Sequence, residues 1–333
     1  MLHSDLGPSS TGNVVVIGRS LHEAAQRKLS EHAFRLSTVE PDRGGVVPAG
    51  RIRCEEPDAL IVRTGAIDES VISASPRLKL IVKHGTGFDN IDVEAATRLR
   101  IPVFVTRRAN ARSVAEHAVA LMLALLKNIC AFDARMRAGY WDKGTRFGTE
   151  LAGLELGLIG YGAIAQEVAG IATALGLHVT ALVRQVRANP RPEVAQVTNL
   201  EDLLARADIL SIHCSLNKET AGLIGRNEFL LMKSSAIIIN TARGGIVDQL
   251  ALVEALETRR IAGAGLDCFE VEPLPADSAL LKCPNVILTP HVGWATHGSL
   301  LRMSDMVAEL IIACLVHDTT DRECLVNPLA LRG

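Results

Sequence analysis

The chain has 333 residues, 48% of them hydrophobic and 22% charged, with a formal net charge of −2. That apolar content supports a large core and two domains of ordinary size, and it excludes global disorder. A charge so near zero removes any global electrostatic case for nucleic acid or an anionic membrane as a partner.

The seven cysteines, at 54, 130, 214, 268, 283, 314 and 324, form no C-x-x-C pair. Neither a disulfide framework nor a metal site is expected, and a reduced, cytoplasmic setting is. The polar start, residues 1–12, lacks the layout of a signal peptide and is expected to fray. Val14-Val15-Val16-Ile17 predicts a first strand and residues 21–29 its helix. Ala59-Leu60-Ile61-Val62 and Leu80-Ile81-Val82 predict further strands with a helix near 70–74 between them; 91–99 reads as helical and 101–105 as extended. Such alternation implies an open parallel sheet. Arg63-Thr64-Gly65 and Lys83-His84-Gly85-Thr86-Gly87-Phe88-Asp89-Asn90 each follow a strand's carboxyl end, where parallel α/β sheets bind ligands. Backbone N–H groups at Gly85 and Gly87 could face a carboxylate; two plain connecting loops fit the sequence as well. This first unit has no phosphate fingerprint, so no second nucleotide site is expected in it.

A helix begins near Asn110, with Ser113 as N-cap and Glu116 completing a capping box. It continues through an apolar run, 114–132, that carries Glu116, His117 and Lys127, which reads as a buried or interface helix rather than a membrane span. A linker with Gly139, Gly144 and Gly148 leads on to the stretch around which the chain is organised.

That stretch is an apolar strand, 154–159, then Gly160-Tyr161-Gly162-Ala163-Ile164-Ala165, then apolar residues at helical spacing (Ile164, Val168, Ile171, Leu175). Strand, glycine turn and helix in this order form the dinucleotide fingerprint G-x-G-x-x-A. Gly160 permits the tight turn, Gly162 lets a pyrophosphate approach the backbone, and Ala165 lets helix and strand pack closely. The helix start at Ala163 and Ile164 offers its N–H groups to phosphate. Further strands are expected at 179–182, 209–213, 236–240, 262–266 and 286–288, which with 154–159 make a six-strand Rossmann set. A helix over 299–313 returns to the first unit. The expected architecture is α/β, with two doubly wound parallel sheets: 13–112 plus 299–333, and 113–298.

In an NAD-binding Rossmann domain an acidic residue closes the second strand and takes the ribose hydroxyls. Here Val183-Arg184 stands at that place, with Arg187 close behind. Positive charge without a carboxylate suits a 2′-phosphate, so NADP(H) is expected over NAD(H). Solvated loop charges are the alternative for Arg184 and Arg187.

Three polar residues follow three successive late strands. Arg243 lies in Asn240-Thr241-Ala242-Arg243-Gly244-Gly245, Glu272 in Glu270-Val271-Glu272-Pro273, and His291 in Thr289-Pro290-His291-Val292-Gly293-Trp294. Each taken singly has a plain structural reading; their joint placement points to an active site.

With these motifs the chain resembles the D-isomer-specific 2-hydroxyacid dehydrogenases. The resemblance runs from about 59 to 299 and adds His84-Gly85-Thr86-Gly87-Phe88-Asp89-Asn90, Ser113-Val114-Ala115-Glu116 and Gly265-Leu266-Asp267 to the motifs above. It implies a Rossmann NAD(P)-binding domain and a flavodoxin-like substrate domain, hydride transfer to a small 2-keto acid or from a 2-hydroxy acid, and a homodimer built on the helix from Ser113. It implies that His291 is the general acid/base, that Glu272 pairs with it and holds its ring, and that Arg243 grips the substrate carboxylate. Asp267 would hold the nicotinamide carboxamide, with Thr241, Ala242, Ser215, Thr220, Val183 and Gly293 lining the cofactor. Arg63, Thr64 and the backbone of His84, Gly85 and Thr86 would take the substrate, and the domains would close on it.

The chain departs from the family's pattern in two places. Thr106-Arg107-Arg108-Ala109-Asn110 stands where the family usually has proline before Ala-Asn, so Arg107 and Arg108 either reach a second anionic group or are solvated. Cys214-Ser215-Leu216 and Trp294 resemble the glyoxylate/hydroxypyruvate reductase and glycerate dehydrogenase branches. Three readings follow. The first is an NADP(H)-preferring reductase of a small 2-keto acid. The second is a short, NAD-dependent phosphoglycerate dehydrogenase. The third is a nucleotide-sensing binding protein like the co-repressors built on this fold.

Overall fold

The apolar tetrads of the sequence become strands buried on both faces, a demand met by a parallel sheet with helices on either side. The computed structural model describes residues 11–145, 147–186 and 191–331. The start expected to fray therefore lies almost wholly outside the described residues, as does Arg187. The chain forms two units, one running through Asn110 and resuming at Thr296, the other Ala111–Ala295.

The first unit opens with β1 (Gly12–Ile17), α1 (Glu23–Glu31), β2 (Phe34–Val39), α2 (Ala49–Glu55), β3 (Ala59–Val62), α3 (Glu69–Ser73), β4 (Leu80–Lys83), α4 (Val93–Arg98) and β5 (Val103–Val105). Its five strands pair in parallel in the order β2-β1-β3-β4-β5, the flavodoxin-like order. Successive side chains point to opposite faces of the sheet. Val14 and Val16 join one core with Ala25 and Leu29 of α1. Val15 and Ile17 join the other with Ile52 of α2, Val71 and Ile72 of α3 and Ala95 of α4.

The second unit holds α5 (Ala111–Leu126), α6 (Ile129–Arg137), β6 (Glu155–Ile159), α7 (Ala163–Ala174), β7 (His178–Leu182), β8 (Val194–Val197), α8 (Leu200–Arg206), β9 (Ile209–Ile212), α9 (Arg226–Leu231), β10 (Ile237–Asn240), α10 (Gln249–Glu257), β11 (Gly263–Leu266) and β12 (Val286–Leu288). These seven strands run parallel in the order β12-β11-β10-β9-β6-β7-β8, a Rossmann order with one extra strand at the edge. Leu156, Leu158, Ile237 and Ile239 face α5 and α7. Leu210, Ile212 and Ile238 face α8, α9 and α10. The last helix, α11 (His297–Leu315), belongs to the first unit and packs Val307, Ala308 and Ile311 on the face that carries α1.

Four expectations are corrected. Among the described residues the Rossmann sheet has seven strands, not six, because Val194–Val197 forms β8 at the sheet edge. The long helix of 114–132 is two helices, α5 and α6, bent by 61° at Lys127 and Asn128. Asn128 sits at φ +54°, left-handed backbone that asparagine tolerates and that ends a helix. Ser113 is no cap: it lies buried inside a helix that starts at Ala111. Glu116 is drawn instead to Arg112 Nε at 2.6 Å, an i,i+4 pair that competes with a capping box. The edge strand β2 was unforeseen, since Phe34–Val39 mixes apolar and polar residues without a strict alternation and buries only its ends.

Among the described residues no single helix is long and apolar enough to cross a membrane.

A buried and a half-buried histidine make stability fall with acid. His84 Nε2 lies 3.1 Å from Ser304 Oγ of α11. Burial first, then the charges of Arg63 and Lys83, push its pKa from 6.5 to about 3. His213, 2.8 Å from Ser211 Oγ, is pushed to about 4 by burial alone. Unfolding restores ordinary imidazoles, so below pH 6.5 the unfolded chain binds protons that the folded chain refuses until about pH 3 to 4. Stability is therefore whole above that window and is lost as pH falls through it, at about 1.4 kcal/mol per unit of pKa displacement. Urea unfolding between pH 7 and 4 is expected to show this fall, and His213→Gln should lower its slope by about one proton. A flat profile would contradict it.

Candidate active site

In the second unit the chain reverses its winding between β6 and β9, the switch point where such sheets bind ligands. Gly160 turns out of β6 at φ +89°, and a Cβ there would press on the Cys214 backbone at 3.1 Å, so glycine is required. Gly162 caps α7 without a side-chain bond, and the space where its Cβ would stand is open. The bonding of α7 starts with Gln166 N–H to Gly162 O. The N–H groups of Ala163 and Ile164 thus remain for an anion at the helix start. Thr241 Oγ1 is buried without a hydrogen-bond partner among the described residues. An open glycine turn, a helix start and an orphaned hydroxyl all fit a bound dinucleotide.

Other predicted cofactor residues lie on the same strand ends. Val183 N–H donates to Val197 O at 2.9 Å. Thr220 Oγ1 donates to Ser215 O at 2.6 Å, closing the loop after β9. Arg184 Nη2 pairs with Glu219 Oε2 at 3.1 Å, and both side chains are largely exposed.

The three candidate catalytic residues leave three adjacent strands. Arg243 follows β10, Glu272 follows β11 and His291 follows β12, and parallel register puts these ends side by side. Gly244 brings two of the loops together: a Cβ there would collide with the Phe269–Glu270 backbone. His291 Nδ1 lies 2.7 Å from Glu272 Oε2. A carboxylate only accepts, so Nδ1 carries the proton and Nε2 is left for a ligand. Phe269 N–H donates to the other carboxylate oxygen, Oε1, at 3.0 Å. Burial pushes the Glu272 carboxyl up, but the bonds from His291 and Phe269 and the charges of His291 and Arg243 outweigh it, holding it below its ordinary value. Arg243 Nη1 also donates to Ala242 O at 2.7 Å. Ala242 N–H is held in turn by Asn240 Oδ1 at 3.0 Å.

His291 itself sits at φ +53°, a left-handed conformation uncommon outside glycine. Asp267 secures its loop. Oδ1 accepts from Thr289 Oγ1 at 2.6 Å and from Val292 N–H at 2.9 Å, and Oδ2 accepts from Gly293 N–H at 2.8 Å. Burial raises the Asp267 pKa, yet bonds from His117, Thr289 and the two backbone N–H groups leave it lowered. His117 of α5 completes the network, its Nε2 2.9 Å from Thr289 Oγ1 and 3.4 Å from Asp267 Oδ1.

In the first unit Arg63 donates from Nη1 to Arg19 O at 3.0 Å and to Ser20 O. Thr64 packs its hydroxyl at the place where a Cβ on Gly18 would lie. The His84 ring faces Ser304, and the backbone N–H of His84 donates to Val62 O at 3.0 Å. Gly85 N–H donates to Thr106 Oγ1 at 2.9 Å, and Thr86 Oγ1 donates to Asn110 Oδ1 at 3.0 Å.

Residues 119–293 match the NAD binding domain of the D-isomer specific 2-hydroxyacid dehydrogenases. The chain belongs to this family. It is similar to D-3-phosphoglycerate dehydrogenase of Mycobacterium leprae, 37% identical over 300 residues, covering 90% of this chain and 56% of that protein. It thus spans about half the length of such relatives. Glyoxylate reductase of Korarchaeum cryptofilum is 36% identical over 308 residues, 90% of this chain and 92% of that one. Among solved structures, the NADPH-dependent glyoxylate/hydroxypyruvate reductase of Sinorhizobium meliloti, in complex with NADP and malonate, superposes with a TM-score of 0.81 at 28% identity. That match covers 92% of this chain and 94% of the other.

For a member of this family, His117, Thr289 and Thr106 are the residues that sequence reading passed over. His117 had one signal, a titratable group inside an apolar helix. Thr106 and Thr289 gave none, since a threonine after a strand is ordinary.

Proposed function

We propose that the chain is an NADPH-preferring reductase of a small 2-keto acid, of the size of glyoxylate or hydroxypyruvate. The observation that carries this reading is the 2.7 Å His291–Glu272 bond between loops of neighbouring strands, with Arg243 on the third. Bound at the Gly160–Ile164 turn, the nucleotide would supply a hydride. The chain's own residues do the rest. Arg243 pairs with the substrate carboxylate and draws charge toward the reacting carbonyl. Glu272 fixes the ring through Nδ1, and His291 in its imidazolium form, with a proton on each ring nitrogen, gives the one on Nε2 to the carbonyl oxygen as the alcohol forms. Loss of reduced-nicotinamide absorbance tests the reading, with hydroxypyruvate, glyoxylate, pyruvate and phosphohydroxypyruvate each run with NADPH and NADH. Oxidation of NADPH on a non-phosphorylated acid is expected, and silence in every mixture would overturn it.

The NADPH preference rests on Arg184. Its partner Glu219 is a surface ion pair, worth little, that a 2′-phosphate can displace. Arg184→Ala is expected to lower the NADPH-to-NADH ratio of kcat/KM by about tenfold, the value of one charge-assisted bond. Glu219→Gln should raise it. An unchanged ratio in both would refute the assignment.

The phosphoglycerate dehydrogenase reading is favoured by the similarity to those relatives and by the exposed Arg107 and Arg108. Activity confined to phosphohydroxypyruvate would select it. We read the chain further as a cytosolic homodimer, supported by seven cysteines without a C-x-x-C pair and by exposed Ile129, Met136, Tyr140 and Trp141 along α6 and the loop after it.

A further inference from the structure

We propose that Cys268, Glu272 and His291 together bind a thiophilic divalent cation of the zinc class, and that its binding switches the catalytic dyad off. The sulfur of Cys268, a Glu272 carboxylate oxygen and a His291 ring nitrogen all lie within 4.8 Å of one another. Thiolate, carboxylate and imidazole are the three donor types that zinc takes in proteins. Tetrahedral bonds of about 2.0–2.3 Å place ligand atoms about 3.3–3.8 Å apart, so the widest pair has to close by about 1.5 Å at most, while Nδ1 and Oε2, now 2.7 Å apart, have to part slightly. Side-chain rotation alone can supply that movement.

The surroundings fit a metal site. Cys268 is only 2% exposed and forms the floor. Glu272 and His291 are partly open to solvent and form the entrance. Both loops are already pinned, Glu272 by Phe269 N–H and the His291 loop by Asp267 through Val292 and Gly293. The trio leaves a fourth position for water. Magnesium and calcium prefer hard oxygen ligands and are rejected by the sulfur.

On binding, the Cys268 S–H bond breaks, its proton leaves to solvent, and sulfur, carboxylate and ring nitrogen each give an electron pair to the ion. No oxidant or reductant takes part. The Glu272–His291 hydrogen bond is broken, so neither group remains available for proton transfer. Cation binding stands independently of the proposed reductase activity; only its inhibitory consequence rests on that reading.

The test has two arms. The whole protein is titrated with cobalt(II) chloride and followed in the near ultraviolet, where a thiolate-to-cobalt band is expected in the wild type and none in Cys268→Val. Cys268→Ala serves if the valine variant does not fold. In the second arm zinc chloride is added to the reductase assay, each protein being compared with its own uninhibited rate. The zinc concentration for half-inhibition is expected to rise at least about tenfold in the variant, the lower end of what even outer-shell partners of a metal contribute. Chelator should restore the wild-type rate, and magnesium should not inhibit. Cobalt binding without a thiolate band, or equal zinc sensitivity in wild type and variant, would overturn the proposal. If no keto acid is reduced, the cobalt arm alone decides, so failure of the reductase reading stays distinguishable.

Discussion

For the proposed reductase, His291→Ala is expected to lower kcat about 10²- to 10⁴-fold, the usual contribution of a positioned general acid. Cofactor affinity, read by quenching of protein fluorescence with NADPH, should change little, because the Gly160–Ile164 turn and Thr241 lie on other strand ends. The loss belongs to kcat because the proton moves only in the transition state. In the proposed mechanism ring nitrogen Nε2 would be the donor, since Nδ1 is held by Glu272 at 2.7 Å. Glu272→Gln should be milder, for an amide oxygen still accepts from Nδ1 but carries no charge. Near-normal turnover in the alanine variant would end the assignment of His291.

Arg243→Gln is expected to cost about 10²- to 10³-fold in kcat/KM, comparable with removing one donor to a developing oxyanion. Both KM and kcat should worsen, as Arg243 is assigned to bind the carboxylate and to polarise the carbonyl. Arg243→Lys should recover part of the loss, since an ammonium keeps the charge but not the planar fork. The variant carries a second, independent signature. Burial raises the Glu272 pKa, while the His291 bond, the Phe269 N–H and the charges of His291 and Arg243 together hold it down. Removing the Arg243 charge lets that pKa rise, so the acid limb of the pH–rate profile should move to higher pH. An unmoved limb together with unchanged KM would place Arg243 outside the site.

Strand–turn–helix segments were legible because their periodicity is local. Gly160 to Ala165 could be placed at a phosphate-binding turn from the letters alone, and Arg243, Glu272 and His291 could be placed at three strand ends. Edge strands were not legible: Phe34–Val39 and Val194–Val197 are partly exposed and mixed in polarity, so they carry neither a buried run nor a clean alternation. The break at Asn128 was hidden because a single asparagine is only a weak helix breaker, so one such letter inside an otherwise helical run does not mark a bend. The Asp267 network joins residues 117, 267, 289, 292 and 293, contacts of long sequence separation that no window can contain. Cys268 escaped for a related reason, as its spacing from Glu272 and His291 matches no compact metal motif.

The return of α11 to the first unit sets an order of events during synthesis. Val307, Ala308 and Ile311 cover the face of the first sheet that holds Val14, Val16 and Phe104, and Ser304 meets His84. None of these residues exists when the first five strands leave the ribosome. Residues 111–295, all of the second unit, are translated in between, which takes roughly 10 to 40 s at about 5–20 residues per second. The nascent first sheet therefore waits with one face covered only in part, by α1, until α11 has been made. A chaperone that shields apolar surface on nascent chains would find its binding site there, and arrested chains ending before residue 297 should stay protease-sensitive in the first unit alone.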